Sequence, residues 1–366
     1  MDLLLLDRNF KICGIIDDFA SLVWNRKYYE CGNFTLQTKL DKYNDIKIAK
    51  YIYCKDFVET AVIEAIKIQE STQIVETSGR FLESILAKRV INTTKKFSNR
   101  ITEDIVRSLI TDIAINDTNR KIDKLVLGTR QGLGTARTMQ MTGDVLLDKI
   151  YELCKEDELG FRVRYDFDND EIIAEVWEGL DRVDTQTTNT WAIFSRNFEN
   201  ITDSEYNTDS TQYRNYAYVE GELTEEDGTK TRVGTIVDIR KEGEERLELY
   251  VDARDLQKDE DTTDDEYMEM LKERGKEKLA ENSKVEEASF AIDPYSNLMY
   301  KTDFDLGDKV VYKNDELGFN IENRIVGISE AYENGNKTID VTFGDEYNLK
   351  KIKEVIYWEA VFLIVK

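Results

Sequence analysis

The side chains of this chain that could do chemistry are carboxylates, hydroxyls and four cysteines; histidine is absent altogether. Without imidazole there is no ordinary general base, no ordinary metal ligand and no partner for a nucleophilic serine or cysteine. Ser-His and Cys-His hydrolysis are therefore excluded, and no GxSxG motif occurs. The 74 acidic residues would let a glycosidase-like pair be drawn almost anywhere, so composition singles out none of them.

Two short runs invite a ligand reading. Gly132-Leu133-Gly134-Thr135-Ala136-Arg137 contains a GxG, but Arg137 stands where a dinucleotide fingerprint needs its third glycine, and no Walker lysine follows. A loop between helices is the better reading. Asp166-Phe167-Asp168-Asn169-Asp170 starts like a calcium loop. Its sixth position is Glu171 and its twelfth Trp177, where glycine and glutamate are required, so the acids read as turn residues. Cys13, Cys31, Cys54 and Cys154 have no metal-like spacing and are expected as free thiols. No metal, no cofactor and no enzymatic activity are expected.

The net charge of −24 disfavours binding to nucleic acid or to an anionic membrane, so neither sequence-specific nucleic acid nor membrane insertion is expected. Met1 to Asp7 reads as a strand, because it is too short and too acidic for a secretion signal. The apolar run Tyr357 to Val365 is shorter than the ~20 residues that cross a bilayer and reads as a strand or a docking segment. The acidic stretch Lys258 to Glu287 reads as a solvated helix face.

The elements that must position these residues begin with strands. Leu3 to Leu6, Asn33 to Thr38, Tyr51 to Cys54 and Thr60 to Ile68 carry strand patterns, with Val62, Glu64, Ile66 and Ile68 expected on one face. Helices are expected next. Ser78 would cap one through Phe81, Leu82, Ile85 and Leu86, and Asn99 one with the stripe Ile101, Ile105, Leu109 and Ile113. A third runs from about Asp144 to Cys154. A hairpin turning at Asp168-Asn169-Asp170 follows. From Trp191 strands return: Tyr213 to Val219 and Arg232 to Ile239 around Asp227-Gly228, then Leu247 to Val251. Lys309 to Tyr312, Arg324 to Tyr332 and Thr338 to Phe343 close the chain, with a turn at Asn334-Gly335. One helix interrupts them, opened by a capping box at Thr263-Asp264-Asp265-Glu266. The class is α+β, mainly β, and no internal repeat is visible.

Trp24, Tyr28, Gly32, Phe34 and Leu36 lie near the start, and Leu306, Gly307 and Asp308 near the end. Between and after them stand Phe194-Ser195-Arg196-Asn197, Asn215 to Gly221, Glu330 with Tyr332, and Thr342 to Gly344. In this order and at this separation the chain resembles the baseplate hub proteins of phage tails, from about residue 2 to residue 348. That family includes the hub-like N-terminal parts of siphophage tail-associated lysins and the hubs of contractile tail-like particles.

The resemblance implies two tube-type β-barrels per chain with a helical α/β insertion: 1–75 the first barrel, 76–192 the insertion, 193–350 the second barrel with one helix, and 351–366 a docking segment. It implies a homotrimer that joins a hexameric tail tube or distal tail protein above to a trimeric spike or fibre below. The protein would be made in the bacterial host cytoplasm and sit at the tip of a virion or tail-like particle. The chain stops soon after the hub region, so a hydrolase module is not expected and the spike would be a separate chain. The aromatic group Trp24, Tyr28, Tyr29 and Phe34 reads as core plus intersubunit contact, with Trp24 to Phe34 the candidate contact. Two alternatives remain. A receptor- or carbohydrate-binding tail protein needs an exposed aromatic site, and a carboxylate enzyme needs a cleft with two facing acids.

Overall fold

Period-two apolar patterns become strands throughout the first 80 residues of the computed structural model, which describes residues 1–224, 229–258, 262–292, 296–316, 318–333 and 335–344. In chain order these are β1 (Leu3–Leu6), β2 (Ile12–Ile16), β3 (Ser21–Lys27), β4 (Asn33–Lys39), β5 (Tyr51–Tyr53), β6 (Ala61–Val62), β7 (Ala65–Gln69) and β8 (Ile74–Arg80), with the short α1 (Tyr43–Ile46) between β4 and β5. β3 and β4 pair Leu22 with Leu36 and Trp24 with Phe34, so all four side chains enter one core. The strand expected from Thr60 to Ile68 is broken in two. The Glu64 amide donates to the Ser78 carbonyl at the break, and beyond it Ile66 and Ile68 are exposed while Val62 is buried.

Two expected helix starts are corrected. Ser78 lies inside β8, its backbone used by β4 on one side and β7 on the other, so it cannot cap a helix. The apolar spacing after it forms a 3-10 turn, Leu82–Lys88, that still buries Leu82, Ile85 and Leu86. Asn99 lies inside β9 (Lys95–Ile101) with φ 48°, and α2 (Thr102–Ile110) starts three residues later. The stripe Ile105, Leu109 and Ile113 is buried as its spacing predicts. The insertion continues with β10 (Leu125–Leu127), β11 (Ala136–Met141), α3 (Leu146–Glu156), β12 (Gly160–Asp166) and β13 (Glu171–Trp177). The β12–β13 hairpin turns at residues 167–170 and pairs Phe161 with Val176 and Val163 with Ala174 over one core with α2 and α3.

The last part holds β14 (Ile193–Phe194), β15 (Ile201–Asp209), β16 (Tyr216–Thr224), β17 (Lys230–Asp238), β18 (Glu248–Asp252), α4 (Asp264–Ala280), β19 (Val285–Ile292), β20 (Lys309–Asn314), β21 (Phe319–Glu333) and β22 (Asn336–Gly344). The expected capping box is present at Thr263 and Glu266. Within the expected second barrel, β16 to β18 and α4 form their own layer and core, with Val219, Val251, Tyr267 and Leu271 buried between sheet and helix. The Asp227-Gly228 turn, Asn334 and the run Tyr357 to Val365 lie outside the described residues.

The largest sheet joins the two ends of the chain. Its main path runs β15-β19-β22-β21-β3-β4-β8-β7, and every neighbouring pair along it is antiparallel. Four of these strands come from residues 201–344 and four from residues 21–80. Ranked by chain order within its own half, each set reads first, second, fourth, third across the sheet. The two halves are therefore the same four-strand unit placed head to tail, joined where β21 meets β3. No such repeat is visible in the sequence, because strand order depends on pairing and not on residue identity.

Candidate functional site: a buried junction between the chain ends

The motifs that could have held ligands are filled by the chain's own side chains. The GxG loop does form a nest of amides: Gln131, Gly132 and Leu133 donate to the carboxylate of Glu103, which is almost fully buried. The anion at this nest is internal, which removes a phosphate reading. In the calcium-like run Asp166 accepts from the Asp168 and Asn169 amides, and Asp170 accepts from Lys124 and Tyr165. These acids shape the turn.

Carboxylate oxygens of Glu152, Glu156 and Glu277 lie within 4.8 Å of one another between α3 and α4. Protein cations fill this cluster. Lys149 Nζ is 3.0 Å from Glu152 and 3.1 Å from Glu277, and Arg137 pairs with Glu156. Burial pushes the Glu156 carboxyl up to about 8 despite Arg137. The Lys149–Glu277 pair ties α3 to α4. An open cleft of about 560 Å³ is lined by Lys155, Lys241, Lys284, Tyr29 and Tyr213, with Glu244 its single acid among the described residues. Among those residues it lacks the two facing acids that carboxylate hydrolysis requires. The four cysteines are free thiols.

The residues singled out from sequence come together elsewhere. Tyr28, just after β3, is fully buried; its hydroxyl reaches the carbonyls of Glu158 and Trp177, at 3.2 and 3.3 Å, and its ring meets Trp177 edge-on. Against the same ring lies the Leu306-Gly307-Asp308 turn. Gly307 has φ 85°, and a Cβ there would stand 2.4 Å from the Tyr28 ring. Both facts exclude a side chain at 307. Leu306 enters the core of the C-terminal unit. Asp308 accepts from the Leu180 amide at 2.8 Å and from Arg182 Nε at 2.7 Å, clasping the segment that follows β13. Burial raises the Asp308 carboxyl, while these donors oppose the shift. Arg324 adds a guanidinium over the Tyr28 ring and donates to the Gly307 carbonyl at 2.6 Å.

A second junction was missed from sequence. Arg26, 3% exposed, reaches Glu59 at 2.8 Å, Asp305 at 2.6 Å and the Tyr300 hydroxyl at 2.7 Å. Tyr300 and Tyr332 then donate to Glu330, which Lys337 also holds at 2.7 Å. Burial would lower the Arg26 pKa, but Glu59, Tyr300 and Asp305 hold it well above its ordinary value. Nothing in the spacing marks Arg26, since its partners lie 33 to 279 residues away.

Trp24, Phe34 and Leu36 are buried in the N-terminal unit, and Trp24 stacks on Phe57. Gly32 lies at the strand start, where a Cβ would stand 2.3 Å from the Asn25 carbonyl. The intersubunit contact expected of Trp24 to Phe34 is therefore corrected for Trp24, Tyr28 and Phe34, whereas Tyr29 is only partly buried and lines the open cleft. Trp24, Tyr28 and Phe34 are at most 1% exposed and have no surface left for a neighbour. The same burial removes them as a sugar platform.

The fold as a whole is similar to that of solved phage tail proteins. The 43 kDa tail protein of prophage MuSo2 from Shewanella oneidensis matches with TM-score 0.56 and 11% identity over 94% of this chain and 98% of that one. A tail protein from Neisseria meningitidis matches with TM-score 0.56 and 10% identity over 94% and 96%. Prophage tail protein gp18 from Listeria monocytogenes matches with TM-score 0.54 and 10% identity over 98% and 100%. The chain belongs to the Siphovirus ReqiPepy6 Gp37-like protein family, whose profile matches residues 2–345. It shares its fold with phage tail proteins, as the resemblance implied. No curated protein matches it. Among the described residues no helix is long and apolar enough to cross a membrane.

Proposed function

We propose that this protein is a phage tail structural protein, a baseplate hub: a homotrimer that adapts a hexameric tail tube or distal tail protein above to a trimeric spike or fibre below. The observation that carries the reading is the repeated unit. One chain presents the same four-strand topology twice, head to tail, in one sheet. A closed ring needs heterologous contacts whose rotation returns to the start. Three chains then supply six similar units to the tube and three identical faces to the spike. The insertion, α4 and its sheet would lie outside the ring. On this reading the protein sits at the tail tip of a virion or tail-like particle after assembly in the host cytoplasm.

The role is structural and needs no catalysis, in keeping with the absence of histidine. The carbohydrate-binding alternative loses Trp24, Tyr28 and Phe34 to the core. The test is to count copies by native mass measurement and by imaging of intact particles. Three chains per ring, each with both units at the channel, are expected. Six chains per ring, or one unit per chain at the channel, would overturn the reading.

A further inference from the structure

The largest sheet ends on two strands that, among the described residues, pair on one side only: β7 with β8, and β15 with β19. Such edges offer a row of unpaired amides and carbonyls. β7 also carries an uncovered apolar strip. Ile66 and Ile68 pair with Thr77 and Val75, which are fully buried, yet they are themselves 38% and 41% exposed. A core face that runs out onto two uncovered isoleucines lacks its neighbour.

The chain already contains the matching contact in filled form. Within it the last strand of the C-terminal unit, β21, pairs antiparallel with the first strand of the N-terminal unit, β3, from Gly327 opposite Lys27 to Glu333 opposite Ser21. By unit topology β7 is the counterpart of β21, and β15 is the counterpart of β3.

We propose that β7 of one copy pairs antiparallel with β15 of the next copy, repeating between chains the β21–β3 contact made inside each chain. The inference rests on the trimeric reading above and names the surfaces that would close it. Strand direction agrees. Eight strands alternate along the path, so β7 and β15 run oppositely. Rotation about a ring axis preserves each direction, so the two edges meet antiparallel.

Charge and side-chain facing select the partner and the register. β7 on itself centres Lys67 on Lys67, and β15 on itself centres Glu205 on Glu205. Like charges directly opposite are unfavourable, which disfavours a two-fold dimer through either edge. Lys67 opposite Glu205 instead makes an attractive pair on one face. The same register sets Ile66 opposite Tyr206 and Ile68 opposite Ser204 on the other. That face is the core-facing one of β15, since Tyr206 and Ser204 pair with buried Ala288 and Phe290. A shift by one residue would put the isoleucines against Glu205 and its outward neighbours.

The test uses the full chain carrying Lys67→Cys and Glu205→Cys together, with each single variant as control for the four native thiols. Directly opposed Cβ atoms lie about 4.5–5.5 Å apart, within reach of oxidation or a short bismaleimide. A covalent species of three chains is expected from the double variant alone. Lys67→Glu should weaken trimer association roughly threefold to tenfold, and adding Glu205→Lys should restore it. A native trimer that gives no linkage from position 67 to 205, nor to Asp203→Cys or Asn207→Cys, would overturn the strand pairing and leave the trimer standing. A chain that stays monomeric at every concentration, from a particle with other than three copies per ring, would overturn both.

Discussion

The ring of Tyr28 is seated on the backbone of Gly307, so closely that a Cβ at 307 would come within 2.4 Å of it. Residues from opposite ends of the chain thus form one contact, and the carbonyls of Glu158 and Trp177 bring the insertion to the same point.

Gly307→Ala should destabilise the protein by about 2–5 kcal/mol, from the strained φ and the forced displacement of Tyr28 and Trp177. Tyr28→Phe keeps the ring and loses only long hydroxyl contacts, so it should cost about 1 kcal/mol. Denaturant unfolding measures both. A Gly307→Ala variant as stable as the parent would contradict this geometry.

Arg26→Met should cost about 3–5 kcal/mol, because it strands the buried carboxylate of Glu59 and removes the tie to Asp305. Adding Glu59→Gln should recover part of the loss by removing the orphaned charge. Equal stability of the single and double variants would show that the pair is not coupled.

Glu83 supplies part of the pH dependence. Burial pushes its carboxyl from 4.5 up to about 8, with nearby Glu59 adding to the shift against opposing hydrogen bonds. The folded state therefore holds a proton that the unfolded state releases. Stability from this group is full below pH 4.5, falls as pH rises toward 8, and levels off above, with a slope approaching about 1.4 kcal/mol per pH unit. Glu83→Gln should remove Glu83's share of that slope and leave the share of Glu156, whose carboxyl is likewise raised by burial to about 8. Parallel stability profiles for the two proteins from pH 5 to 8 would refute the assignment.

All four cysteines should be alkylated after unfolding without reductant, as free thiols. In the folded protein Cys154 should react slowest, since complete burial raises its thiol far above the ordinary range. Two or more thiols protected in the unfolded, unreduced chain would contradict the free state.

Much of the local structure was legible in the sequence, because it depends on neighbours along the chain. Period-two alternation marked β3, β4 and the β12–β13 hairpin, and Thr263 with Glu266 marked the start of α4. Where local signals competed with sheet pairing, pairing won. Ser78 and Asn99 have the chemistry of helix caps, but their backbones are claimed by β8 and β9.

By itself the sequence determined that this protein has no histidine chemistry, that it is mainly β, and that its two ends carry the pattern of a tail protein. Tertiary structure decided that those ends meet at Tyr28 and Gly307, that Arg26 closes a second buried junction, and that one unit is built twice. The physical reason is range. Alternation and capping act over a few residues and leave a mark in spacing. Strand pairing joins β21 to β3 across most of the chain, the buried Arg26–Asp305 pair joins residues 279 positions apart, and a chain this rich in acids and bases gives no sign of which ones will meet.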